Sequence, residues 1–218
     1  MKFSENGEQI LFPFGCVENE TNLFYTQPAN GILGFAPTSS NNSGFVSLAK
    51  EKGLINNKVF SLCLARNGGY ITLGDYSNKF HNGIPKFIPY YAGNMYKITL
   101  NSYQIDNSNS KIKKIPTTYY TVIDSGTTLT YLPKSLNDDF INEISNHCNK
   151  VDCHADIDTR GCFKIKKNYN KEDVLKKLPK FKFILGDGKI EMTWLPINYI
   201  TVDEKYVDNI CFGTYSWG

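Results

Sequence analysis

A chain of 218 residues is long enough to bury a real core, and one all-β domain of this length is ordinary. A net charge of +3 says little about partners, and no nucleic acid is expected. No stretch approaches the ~18 apolar residues of a membrane helix, so no membrane contact is expected within this segment. The 14 Tyr and 14 Phe favour strands over helices.

In chain order, Ile10–Cys16 is expected to form a strand ending at Gly15. Asn30-Gly31 signals a turn before the apolar Ile32-Leu33-Gly34-Phe35, and Pro37 to Ser43 is a loop. Phe45 to Lys52 carries a helical apolar pattern, with Ser43 as N-cap and Gly53 as stop. Val59–Leu64 and Tyr70–Leu73 are strands of a hairpin that turns at Gly68-Gly69. Polar Asp75 to Lys86 is the expected boundary between substructures, giving units 1–85 and 86–218.

Phe87–Tyr91 and Tyr96–Ile105 alternate as strands do. A polar turn at Asn107–Ser110 leads to a short strand at Ile112–Pro116 and another at Tyr119–Asp124. Pro133 and Ser135 open a helix with Leu136, Phe140, Ile141 and Ile144 on its apolar face. Lys171–Lys177 is a second helix, halted before Pro179. Phe181–Leu185 and Lys189–Trp194 flank Gly186-Asp187-Gly188 as a hairpin, and Ile210–Gly213 is a last strand. The Lys-rich run from Lys164 to Lys182 is a solvated face, because Phe163, Ile165, Tyr169, Val174, Leu175 and Leu178 interleave as core positions. Many short strands with few short helices make an all-β, mainly antiparallel fold.

Six cysteines fit disulfides or metal. Cys148, Cys153, His154 and Cys162 lack the CxxC pairs of a zinc cluster, so disulfides and an oxidising compartment are the expectation, with no metal and no cofactor. Asn19-Glu20-Thr21 and Asn41-Asn42-Ser43 are glycosylation acceptor patterns. His81, His147 and His154 are expected at the surface, with no nucleophile for any of them to activate, and Trp194 and Trp217 are expected to pack.

The segment that carries chemistry is Val122-Ile123-Asp124-Ser125-Gly126-Thr127-Thr128. An apolar pair runs into an Asp, then into small hydroxyl residues and a glycine. A half-buried carboxylate is costly unless hydrogen-bonded, and such neighbours supply the donors. Peptide hydrolysis without metal or nucleophile needs one carboxylate to take a proton from water while a second carboxyl polarises the carbonyl. Two Asp side chains sharing one proton do this, the dyad of pepsin being the standard worked case.

Tyr120 to Pro133 resembles the second catalytic loop of the pepsin-like aspartic proteases, and its Leu129-Thr130-Tyr131-Leu132-Pro133 continuation is typical of the plant-type branch. Asn30–Phe35 resembles the N-terminal-lobe segment behind the first catalytic loop. Gly69–Gly74 is similar to a strand near the lobe crossover, and Tyr96–Leu100 to the strand opening the C-terminal lobe. Leu195–Ile200 is similar to a strand-entry segment. The resemblance spans Phe12 to Gly213. It implies a catalytic role for Asp124, loop support from Ser125, Gly126 and Thr127, and substrate contacts at Thr128 and Ile32. It also implies disulfides Cys16–Cys63, as in plant-type and plasmepsin V-like proteases, and Cys162–Cys211, leaving Cys148 with Cys153.

The chain also departs from the family pattern. No Asp-Thr-Gly or Asp-Ser-Gly precedes Asp124, no flap hairpin with its Tyr lies upstream, and the second apolar-apolar-Gly after Asp124 is missing. Ile184-Leu185-Gly186 mimics that last pattern but is expected to be a hairpin strand. The resemblance therefore implies a truncated pepsin-like fold: residues 1–85 as the later N-terminal lobe and 86–218 as an incomplete C-terminal lobe. It implies an aspartic endopeptidase of the secretory pathway in the full-length protein, acting on peptide or protein substrates, with the remainder of the N-terminal lobe as partner. This chain alone is expected to be inactive. The alternatives are a non-catalytic pepsin-fold binding or inhibitor module, and a homodimer pairing two copies of Asp124.

Overall fold

Two local sequence patterns set the smaller of two units, which comprises residues 1–86 and 92–96. The computed structural model describes residues 11–19, 29–38, 44–65, 67–76, 79, 81–106, 112–114, 120–159, 161–186, 190–202 and 209–217. In the first pattern, helix α1 (Phe45–Glu51) buries Phe45 and Ala49 against Phe12, Phe35, Leu48, Leu54, Ile55 and Leu73. Its N-cap is Gly44 rather than Ser43; Gly44 adds no side-chain bond and accepts the Leu48 N–H at 3.0 Å. In the second, β1 (Phe60–Ala65) and β2 (Gly68–Leu73) form an antiparallel hairpin. Gly68 and Gly69 are paired strand residues, opposite Ala65 and Leu64, rather than the turn itself. A Cβ on Gly69 would meet the Cys63 carbonyl oxygen at 2.4 Å, so the two backbones approach this closely only with glycine.

Residues 11–16 form no strand, a correction to the expected element there. The segment is largely exposed and is held by Phe12, edge-on to Phe45 at 5.3 Å. The expected Cys16–Cys63 bond is absent: both thiols are free, Cys16 exposed and Cys63 half-buried in β1. Cys63 is laddered to Tyr70 of β2, and no described strand holds Cys16 alongside it.

The larger unit comprises residues 87–91 and 97–218. Its spine is β3 (Lys97–Ile105), which pairs antiparallel with β4 (Lys113–Lys114), β5 (Tyr120–Val122) and a strand further along the chain, β9. Chain order then runs through β6 (Thr130–Pro133), α2 (Lys134–Val151), β7 (Ala155–Ile157), β8 (Cys162–Ile165), α3 (Lys171–Lys177), β9 (Phe181–Leu185) and β10 (Ile190–Trp194). It ends with α4 (Pro196–Tyr199), β11 (Ile200–Val202), β12 (Asn209–Phe212) and β13 (Thr214–Trp217). Two antiparallel sheets result: one ordered β10-β9-β3-β4, with β5 also on β3, and one ordered β11-β12-β8-β7. A parallel pair, β6 with β13, completes the unit. Phe87–Tyr91 is not a strand and makes only a single bridge, Tyr91 to Lys97. Leu195–Ile200 enters β11 through a short helix.

A register shift between Leu100 and Ser102 opposite β9 places one extra residue in β3. Strand side chains alternate with period two, so one extra residue moves the buried set from Ile98 and Leu100 to Tyr103 and Ile105. These residues join the main core, with Phe140 and Ile144 of α2 and Phe181, Phe183 and Leu185 of β9. Trp194 packs at its edge, 5.3 Å from Phe183. On α2 the buried stripe is Asn137, Phe140, Ile144 and Cys148, with Leu136 and Ile141 only half-buried. Asn137 lies inside because its amide oxygen accepts the Thr214 hydroxyl of β13. Helix α3 has the expected bounds and a full capping box, Asn170 with Asp173. Tyr169 is exposed rather than core; its ring stacks on His154 at 3.8 Å.

Cys148–Cys153 closes the end of α2, and Cys162–Cys211 joins residues directly opposite in β8 and β12. The thiols of the zinc alternative are thereby used in disulfides. The second bond spans 49 residues, for which the chain-entropy model gives about 4 kcal/mol of stabilisation. Among the described residues no helix is long and apolar enough to cross a membrane. The Asn41–Ser43 and Glu20-Thr21 parts of the acceptor patterns, the Asn107–Ser110 turn and Asp187-Gly188 lie outside the described residues.

Candidate active site

Strand β5 delivers Asp124. Its three residues pair with the first three of β3, Lys97 with Val122 through Thr99 with Tyr120, and the ladder ends two residues before Asp124. Ser125 and Gly126 then turn the chain. At the far side, Thr130 donates its N–H to the Gly213 carbonyl at 3.0 Å, and β6 continues parallel to β13. The loop between β5 and β6 is thus tied at both ends to strands from distant parts of the sequence.

Inside the loop, both carboxylate oxygens of Asp124 are engaged. The Gly126 N–H donates to Oδ1 at 2.9 Å, and the Thr127 hydroxyl donates to Oδ2 at 2.6 Å. The Thr127 N–H reaches the Asp124 carbonyl at 3.3 Å. A Cβ on Gly126 would lie 3.3 Å from Oδ1, so a side chain there would crowd the carboxylate it serves. The Thr127 hydroxyl first, and the Gly126 N–H second, hold the Asp124 carboxyl below its ordinary value. Among the described residues no second carboxylate contributes to that shift. The side chain is exposed, as are Val122 and Ile123, so the half-buried carboxylate expected from the apolar pair is not found here. The loop hydrogen bonds, rather than burial, fix its orientation.

The structure gathers Asp124, Ser125, Gly126, Thr127 and Thr128 on one exposed loop of the larger unit. Ile32 belongs to the smaller unit, on an irregular segment where it is 78% exposed. Sequence reading missed the anchors Thr130, Gly213, Asn137 and Thr214. No local pattern marks them, since Asn137 and Thr214 meet across 77 residues. Chemically, an ionised carboxylate with a fixed rotamer and an open face can accept a proton from water.

The lowered pKa gives a direct test. The folded value lies below the unfolded one, so the carboxylate adds stability above the unfolded pKa, and that contribution is lost as pH falls through the folded value. Thr127→Val removes the largest cause. Its expected result is an Asp124 titration midpoint, followed by side-chain carboxyl NMR, that moves up toward the ordinary value. An unchanged midpoint would refute the role given to Thr127.

The family model for eukaryotic aspartyl proteases matches residues 8–216. The chain is 27% identical over its whole length to aspartic proteinase 39 of Arabidopsis thaliana, covering 43% of that protein. It is 29% identical to pepsin A of Sus scrofa over 56% of the chain, or 33% of that protein. It is 34% identical to plasmepsin V of Plasmodium falciparum over 33% of the chain, or 12% of that protein. The chain therefore spans less than half the length of these curated relatives. With a mostly antiparallel, pepsin-like fold and the Asp-Ser-Gly-Thr loop built as described, the chain belongs to the eukaryotic aspartyl protease family.

Proposed function

We propose that the full-length protein is an aspartic endopeptidase in which Asp124 supplies one of two carboxyls that activate a water molecule. The observation carrying this reading is the anchoring of both Asp124 oxygens by Gly126 and Thr127, which leaves the open face to water. The reacting pair shares one proton: the ionised member takes a proton from water, and the protonated member polarises the peptide carbonyl. Ser125 braces this loop against its counterpart, and Thr128 and Ile32 contact the peptide substrate. Residues 1–85 act as the later part of an N-terminal lobe and 86–218 as C-terminal lobe. The two disulfides support folding in the secretory pathway.

The test compares two preparations on a fluorogenic peptide library. The full-length protein is expected to cleave, and to be blocked by a peptide carrying a hydroxyl-bearing carbon in place of the scissile carbonyl. The 218-residue chain is expected to show no cleavage, because its sequence holds one Asp-Ser/Thr-Gly loop. Inhibitor-sensitive cleavage by the chain alone would overturn the two-carboxyl mechanism.

A further inference from the structure

Ser47, Ser102, Asn137 and Thr214 are the buried polar residues among those described, and two of them meet. The Thr214 hydroxyl donates to the Asn137 amide oxygen across 77 residues of chain. A buried hydrogen bond of this kind adds little net stability, since an apolar pair of the same shape does about as well. What it supplies is a defined alignment, because a slip of either partner leaves both polar groups buried and unpaired.

The alignment in question is that of β13 with β6. The two strands pair in parallel over four residues, Thr214 with Thr130 through Trp217 with Pro133. Parallel pairing is the weaker kind, and Pro133 has no N–H to give the ladder. Along β6 only Leu132 is buried, so the apolar pattern says little about register. A slip of one residue would carry Thr130 about 3.3 Å along β13. Thr130 stands three residues after Thr127, whose hydroxyl holds the Asp124 carboxylate.

The Asn137–Thr214 bond closes a ring of contacts around this weak point. Helix α2 starts where β6 ends, and Asn137 is its fourth residue. Thr214 follows Gly213, whose carbonyl accepts the Thr130 N–H at 3.0 Å and whose N–H donates to the Tyr199 carbonyl at 2.8 Å. Tyr199 is itself buried, with its hydroxyl bonded to the Pro179 carbonyl. The start of β13 is thus fixed from two directions, by α2 through a side chain and by Tyr199 through the backbone.

We propose that Thr214 and Asn137 are positioning residues for Asp124: their bond pins β13 in register with β6 and so fixes the end of the loop that carries the carboxylate. Their effect on catalysis rests on the endopeptidase reading; their effect on the loop does not. Neither residue lies on the loop, and their action runs through Thr130 and Thr127.

The test replaces both by apolar residues of similar size, Asn137→Leu with Thr214→Val, in the 218-residue chain. The urea unfolding midpoint is expected to stay close to that of the wild type. The Thr130 amide is expected to exchange with solvent at least about tenfold faster. The Asp124 titration midpoint, followed by carboxyl NMR, should rise by at least about half as much as in Thr127→Val. Thr214→Ser keeps the hydroxyl and should leave both readings unchanged. Thr214→Val alone should move both and also lower the unfolding midpoint, because the Asn137 oxygen is left unpaired. Val174→Ala lowers stability at a buried position of α3 and should leave the titration as in the wild type. In the full-length protein the double variant is expected to lower kcat about tenfold with KM unchanged. A double variant with wild-type exchange and titration, a Thr214→Ser shift as large as that of Thr214→Val, or an equal titration shift in Val174→Ala would each overturn the positioning role. A displaced loop with kcat unchanged would uphold that role and overturn the reading of Asp124 as the base.

Discussion

Asp124→Asn in the full-length protein is expected to lower kcat by on the order of 10²- to 10⁴-fold, the contribution of a positioned acid–base group. Asn preserves the shape of the side chain and can still accept from Thr127 or Gly126, so the loop should keep its conformation. What disappears is the site that takes the proton from water. That proton moves only as the transition state forms, so KM should change little while kcat and kcat/KM fall together. Steady-state kinetics on one peptide settle the matter, with unfolding midpoints showing that the fold is intact. A variant turning over at the wild-type rate would remove Asp124 from the mechanism. A rise in KM with kcat preserved would recast it as a substrate-binding residue.

Phe140→Ala is expected to cost about 3–5 kcal/mol of unfolding free energy, the range for deleting a buried aromatic ring. Phe140 is 0% exposed and is the point where α2 meets the main sheet. Its ring stacks on Tyr103 at 4.6 Å and meets Phe181 edge-on at 4.9 Å, with Phe183 at 5.8 Å and Trp194 at 6.0 Å. Removing it leaves a cavity lined by rings from α2's neighbours β3, β9 and β10, which cannot all collapse inward. A total stability of about 5–15 kcal/mol makes this a large fraction of what holds the unit folded. Phe140→Leu keeps much of the volume and should lose about half as much. Ile197→Ala, at a position 56% exposed, should stay within about 0.5 kcal/mol. Urea unfolding with disulfides intact measures all three. A loss below about 1 kcal/mol for Phe140→Ala would show that the site collapses freely and is not the hub described.

The Asp124 loop bears on the same core through α2, which starts one residue after β6 ends. Asn137 and Thr214 link that helix to β13, the strand that pairs with β6 behind the loop. The orientation of Asp124 therefore depends on two kinds of support. Thr127 and Gly126 lie within three residues and orient the carboxylate directly. Thr130, Gly213 and the Asn137–Thr214 bond hold the loop ends and come from segments far apart in sequence.

This division is also the division between what could and could not be read from the chain. Helix α3 and strand β9 have their expected bounds, because a capping box, an apolar stripe and a period-two alternation all act within a few residues. The Asp124 loop was legible for the same reason: a glycine and a hydroxyl within reach of a carboxylate have few other arrangements. The parallel pairing of β6 with β13, the burial of Asn137 and the extra residue in β3 were not legible, since each is decided by a partner remote in the chain. Nor were the free thiols of Cys16 and Cys63, or the exposure of the Asp124 side chain. By itself the sequence determined the family, the carboxylate and its two nearest donors, because those interactions are local. Tertiary structure alone decided which residues hold the loop in place, because burial and long-range pairing depend on whichever distant segment arrives to satisfy each polar group.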